Sequence, residues 1–189
     1  MFIQTETTPN PNVLKFLPGR EVMGEGSREL HAADAAASPL AEALFAIDGV
    51  ERVFFGPDFV TVTRRDEDLD WSQIKAPILA AIMEHFTSGA PLFATADQAA
   101  SHDDDAYEGD AAQVVAEIKD LLDTRIRPAV ARDGGDILFN RFDPASGVVY
   151  LHMRGACSGC PSSSATLRAG VENMLKHYVP EVTRVEAAL

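Results

Sequence analysis

Apolar residues along this chain fall into two periodicities, one of short alternating runs and one of three-to-four spacing. Val13-Leu14-Lys15-Phe16 and Phe2-Ile3-Gln4-Thr5 are short strand candidates. The segment between them, Thr8-Pro9-Asn10-Pro11-Asn12, is a rigid turn, because two prolines fix φ and asparagine tolerates the left-handed region. Ser38-Pro39 places a capping hydroxyl and a first-turn proline ahead of the stripe Leu40, Ala43, Leu44 and Ile47, which predicts a helix ended by Gly49. Val50–Phe55 and Phe59–Thr63 predict a hairpin around Gly56-Pro57-Asp58. Trp71, Ile74, Ile78, Ala81, Ile82 and His85 predict a long helix from about Asp70 to Phe86.

The same reading continues in the second half. Val114, Val115, Ile118, Leu121 and Leu122 predict a helix over Gln113–Arg125, with an end or kink imposed by Pro128. Asp133-Gly134-Gly135-Asp136 is a turn in which both glycines are free to take positive φ. Ile137–Phe142 and Val148–Met153 are strands joined by Asp143-Pro144-Ala145-Ser146-Gly147. Leu167, Val171, Met174, Leu175 and Tyr178 predict a helix over Ser162–Tyr178, and Val182–Glu186 a last strand. The expected class is α+β, with two small mixed α/β domains and the order α-β-β-α-β in the second.

The break between them is compositional. Residues 94–110 carry Asp97, Asp103, Asp104, Asp105, Glu108 and Asp110 with no Lys or Arg. Such a segment buries too little apolar surface to offset its ordering entropy and predicts an acidic, flexible linker. Domains over 1–93 and 111–189 follow. Gly19–Ser38 predicts a smaller disordered loop inside the first, and Tyr107 within the linker has no assignable role.

Charge narrows the partners. The net charge of −13 resides entirely in the first 110 residues, with seven basic and twenty acidic side chains; residues 111–189 hold nine of each. That balance argues against nucleic acid, whose backbone needs clustered Lys and Arg. No run approaches the roughly 18 apolar residues of a membrane span. The N-terminus has neither the basic and apolar regions of a signal peptide nor the arginine-rich character of a transit peptide, which predicts a cytoplasmic protein.

Chemistry concentrates in Gly155-Ala156-Cys157-Ser158-Gly159-Cys160-Pro161, which holds both cysteines of the chain. This strand-to-helix turn lies where backbone N–H groups and the positive helix end favour thiolate over thiol. Gly155 and Gly159 allow close backbone approach, and Ser162, Ser163 and Ser164 are candidate helix caps. Three readings compete. A metal or iron–sulfur site shared between two chains would turn two ligands into four by two-fold symmetry. A thioredoxin-like dithiol oxidoreductase would use the pair as a reactive dithiol, although a hairpin rather than a βαβ unit leads into it. A zinc-stapled dimer would use it as structure. His85, His31, His102 and the Trp71 stripe are read as packing or surface residues. His152 is a conceivable fifth ligand but is read as packing, and strand alternation sends it and Met153 to opposite faces.

At these residues the chain resembles a known family. Ile126-Arg127-Pro128-Ala129-Val130-Ala131-Arg132-Asp133-Gly134-Gly135-Asp136-Ile137 looks like the opening signature of the NifU-like C-terminal domain. Gly155 to Ser163, then Thr166-Leu167, resembles its cluster-binding signature. Thr8–Asn12 with Leu14-Lys15-Phe16, Ser38–Ala41, Phe45–Val50 and Phe59–Thr63 resemble the N-terminal domain of Nfu-type scaffold proteins.

The resemblance implies a non-enzymatic iron–sulfur scaffold or carrier. A [4Fe–4S] cluster, with [2Fe–2S] as the alternative type, would be bridged by Cys157 and Cys160 of two subunits and passed to apo-proteins. It implies a homodimer when loaded, apo iron–sulfur clients such as lipoate synthase and aconitase-like dehydratases, upstream assembly proteins, and partner recognition by residues 1–93. It implies no catalytic residue. The N-terminus favours a bacterial cytosol over the mitochondrial matrix.

Overall fold

A computed structural model of the chain describes residues 1–94, 107–158 and 161–188, with residues 161–164 as backbone alone. The expected linker lies mostly outside the described residues. The chain divides into two compact units, residues 1–99 and 100–189.

Strands β1 (Gln4–Thr7), β2 (Val13–Leu17), β3 (Arg28–His31), β4 (Val50–Phe55) and β5 (Val60–Arg64) form the sheet of the first unit. Their order is β1-β2-β5-β4-β3, and every pair is antiparallel. Helices α1 (Pro39–Phe45) and α2 (Trp71–Ser88) set Leu40, Leu44, Ile74, Ile78 and Ile82 against Phe16, Val53, Phe55, Val60 and Val62. The Ser38 hydroxyl caps α1 by accepting from the Ala41 N–H at 3.2 Å, and Asp70 caps α2 by accepting from the Ser72 N–H at 2.9 Å. The register places Glu6, Lys15, Thr61, Phe54 and Glu29 in one row across the other face. There the buried Lys15 ammonium lies 4.5 Å from the centre of the Phe59 ring and 3.8 Å from Glu6.

Residues 19–38 are not the disordered loop that their composition suggests. They contain β3 and a 3-10 helix over Ala32–Ala37. The N–H groups of Val22 and Gly24 donate to the Pro57 carbonyl at 2.8 and 3.0 Å. β3 is an edge strand held by its backbone pairing to β4, with Leu30 as its one buried apolar residue, so its side chains carry almost no alternation. Arg28 stacks over Phe93, 4.9 Å from the ring centre. β1 also sits two residues later than expected, and Phe2 is left exposed.

The second unit begins with α3 (Asp110–Leu121), and the helical path continues beyond it through Pro128. A π-helical turn over Leu122–Ile126 widens the backbone, and α4 (Arg127–Arg132) restarts with Pro128 in its first turn, where no N–H is needed. β6 (Gly135–Asp143) and β7 (Val148–Gly155) form an antiparallel hairpin, and β8 (Arg184–Ala187) joins β7 in parallel after α5 (Pro161–Tyr178). The order α-β-β-α-β stands, with the first helix in two segments. Ile118, Leu122, Ile126, Ile137, Val149, Leu151, Val171 and Leu175 share one core.

Tyr107 belongs to this unit's packing and is no idle linker residue. Its hydroxyl accepts the Phe142 N–H at 2.7 Å, just past the register shift between Phe139 and Arg141, and its ring meets Phe139 edge-on at 6.5 Å.

Candidate functional site

The cysteine turn is built on the paired ends of β6 and β7, where Gly135 lies opposite Gly155. Positive φ is needed at two glycines here. Gly134 (φ 82°) lets the chain leave α4, and Gly155 (φ 64°) turns it out of β7. Gly135 takes no positive φ. The Ala156 N–H donates to the Gly134 carbonyl at 3.1 Å. The Ser158 N–H and hydroxyl both donate to the Gly155 carbonyl, at 3.1 and 3.0 Å. These bonds fix the first half of the turn before α5 begins.

Cys157 is buried within the second unit's core. A Cβ placed on Gly135 would collide with its sulfur, and would lie 2.7 Å from the Arg154 carbonyl oxygen. Cys160 and Gly159 lie outside the described residues, as do the side chains of Ser162, Ser163 and Ser164. Burial pushes the Cys157 thiol up to about 12, and the carboxylates of Asp133 and Asp136 push in the same direction. For Cys157 this runs against the thiolate that helix and N–H dipoles are expected to favour. Its sulfur lies against Gly135 at the start of β6, where desolvation opposes ionisation.

A charged staple stands behind that strand. Arg127 donates from Nε and Nη2 to the two carboxylate oxygens of buried Asp136, at 2.8 and 2.9 Å, and from Nη1 to Asp123 at 2.8 Å. Asp136 also accepts the Ile137 N–H at 2.9 Å. The hydrogen bonds to Asp136 are the largest influence holding Arg127 in its charged form. The signature segment contains both residues, nine positions apart, but nothing in the sequence says that a π-turn and a glycine pair bring them together.

The histidines behave as side chains with other duties. His152 points away from the covered face, its Nε2 2.7 Å from Asn140 Nδ2, while Met153 packs on the core. His85 is buried edge-on to Phe86 at 5.1 Å, and desolvation lowers its pKa. His31 sits 3.9 Å from Glu29. His102 is outside the described residues. Trp71 packs on the first unit's core and donates to the Pro11 carbonyl at 3.2 Å.

Two family models match the chain. Residues 3–89 match "Scaffold protein Nfu/NifU N terminal", and residues 118–186, with both cysteines inside them, match "NifU-like domain". The chain belongs to the Nfu-type scaffold family. Its similar relatives include "NifU-like protein 4, mitochondrial" of Arabidopsis thaliana, 57% identical over 187 residues, covering 98% of this chain and 65% of that protein. The human "NFU1 iron-sulfur cluster scaffold homolog, mitochondrial" is 49% identical over 193 residues, covering 100% of this chain and 72% of the human protein. The Drosophila willistoni homolog of the same name is 50% identical, with coverage of 98% and 63%. The Nfu-type chain thus spans about two thirds of the length of these relatives. Their names overturn one expectation. The reading of a bacterial cytosol rested on the N-terminal composition, whereas these relatives are plant and animal proteins named as mitochondrial.

Proposed function

We propose that this Nfu-type protein is a mitochondrial carrier of iron–sulfur clusters. Cys157 and Cys160 of two subunits supply the four thiolates of one [4Fe–4S] cluster, which is cargo and not a resident cofactor. The observation that carries this reading is the match of the NifU-like domain across residues 118–186, the segment holding both cysteines. The donor set agrees with it, since two soft sulfur ligands per chain make half a cluster site.

Delivery is ligand exchange. A client thiolate attacks an iron, the bond from that iron to Cys157 or Cys160 breaks, and the departing cysteine leaves as thiolate and takes a proton from water. Repetition moves the cluster with no change of oxidation state, and no residue acts as an acid–base catalyst. Residues 1–93 recognise apo-protein clients and upstream assembly partners, and tethering raises the local concentration of cargo at the client.

The test is anaerobic loading with iron and sulfide, followed by iron analysis and native mass measurement. The expected product is a brown dimer with one [4Fe–4S] cluster per two chains. A colourless product, or a cluster on a strictly single chain, refutes the proposal. Cys157→Ser and Cys160→Ser each abolish the visible spectrum while the far-ultraviolet spectrum stays. Deleting residues 1–93 slows delivery and spares loading; equal transfer rates refute the recognition role.

A further inference from the structure

We infer that Gly135 is a seat for the Cys157 sulfur, so that this cysteine has two positions, one packed inward and one turned out to hold cargo. The inference rests on the reading of Cys157 as a cluster ligand. A ligand shared across a subunit seam must face outward, yet here Cys157 lies inward among core residues.

Gly135 is the residue that makes the inward position available. A glycine in a strand weakens it, and its presence there marks a close approach by another group. Gly135 has no positive φ to explain it, so the explanation is space. Any Cβ would overlap the Cys157 sulfur and press on the Arg154 carbonyl oxygen at 2.7 Å and the Cys157 nitrogen at 3.1 Å. Neither of those two backbone atoms can move aside as a flexible side chain would. The bonds that tie the turn presenting Cys157 to the strand ends include the Ala156 N–H to Gly134 and the Ser158 N–H and hydroxyl to Gly155. On this inference, swinging the sulfur out rearranges this turn locally and leaves the Arg127–Asp136 staple and the β6–β7 ladder in place.

The experiment uses the full chain with Cys160→Ser, which leaves Cys157 as its single thiol. Labelling by N-ethylmaleimide is followed by mass in native buffer, in concentrated urea, and at urea concentrations below the unfolding transition. Native labelling is expected to run on the order of a hundredfold slower than in concentrated urea, with little dependence on sub-transition urea, as for local opening. Adding Gly135→Ala evicts the sulfur and speeds native labelling by roughly tenfold or more, since local opening is no longer required. Native labelling as fast as in concentrated urea overturns the inference. So does a rate that tracks global unfolding, because the sulfur would then be a core group with one position. The urea dependence in the glycine-bearing protein decides the matter even if Gly135→Ala does not fold. None of these measurements involves iron. Slow labelling together with failed cluster loading would sink the carrier proposal and leave the seat standing.

Discussion

The Arg127–Asp136 staple offers the sharpest quantitative test of how the site is held. Asp136→Ala removes two charge-assisted hydrogen bonds, at 2.8 and 2.9 Å, and strips the Ile137 N–H of its acceptor. Removing one partner of a buried ion pair costs about 3–5 kcal/mol, because the other charge stays behind. Arg127 keeps Asp123 at 2.8 Å, and its side chain is 29% exposed, so the cost belongs near the lower end of that range. For a unit of this size, about 3 kcal/mol lowers the melting temperature by roughly 12 °C or more. Far-ultraviolet circular dichroism of the full chain reads both units, so the second-unit transition is the part that tryptophan fluorescence does not share. The single tryptophan, Trp71, lies in the first unit and serves as an internal control. The expected result is a second-unit transition lowered by that amount and an unchanged tryptophan transition. Replacing both partners, Arg127→Met with Asp136→Leu, restores most of the loss, since two apolar groups leave no orphan charge. A drop of less than about 3 °C for Asp136→Ala would refute the assignment of this pair as a buried, mutually dependent staple.

Three further outcomes are expected. Tyr107→Phe deletes the acceptor of the Phe142 N–H and costs about 1 kcal/mol in the second-unit melt; an unchanged melt shows that water replaces the hydroxyl. Thr61→Val replaces a buried hydroxyl with no hydrogen-bond partner among the described residues by an isosteric methyl, and raises first-unit stability by about 1 kcal/mol; a loss of stability contradicts the absence of a partner. His85 is buried and its pKa is lowered by desolvation, so below its ordinary value the unfolded chain binds more protons than the folded one. Its contribution to stability is full above about pH 6.5 and erodes as pH falls from there toward the lowered folded value. His85→Leu flattens that slope in a tryptophan-monitored titration, and an identical slope assigns it to other groups.

What the sequence revealed and what it hid divide along physical lines. Helices with an amphipathic stripe and a capping residue were legible, because burial and the cap act through nearby positions. Ser38 and the Leu40–Leu44 stripe, and Asp70 and the Ile74–Ile82 stripe, carry their own start signals. β3 was not legible, since Arg28, Glu29 and His31 gain their strand character from backbone pairing to β4. The response to Pro128 was legible only as a disturbance. Whether a helix stops or takes a π-turn depends on what Leu122 and Ile126 pack against. At the site, the cysteine spacing pointed to sulfur chemistry, and the helix end suggested a stabilised thiolate. The dipole argument treats the sulfur as exposed. The Cys157 sulfur packs where a glycine more than twenty positions earlier leaves room for it, and that is a tertiary fact.

That direction has a consequence for carriage. A carrier has to give up its cargo, and a donor with a favourable unloaded position competes with the cluster for its own sulfur. Each 1.4 kcal/mol by which the Gly135 seat favours the inward position weakens the hold of that sulfur about tenfold. On the proposed reading, in which two subunits donate one such sulfur each, the same preference counts twice at a shared cluster, about a hundredfold in all. On that reading the Gly135 seat favours release without asking the iron–sulfur bonds themselves to be weak. In the inward position the sulfur, packed on the core, is also out of reach of oxidants and stray metals. Loading then becomes the step that carries the cost. A donor that presents a preformed cluster supplies iron–sulfur bonds as the turn opens, so loading from a preformed cluster is expected to outpace loading from free iron and sulfide at equal iron.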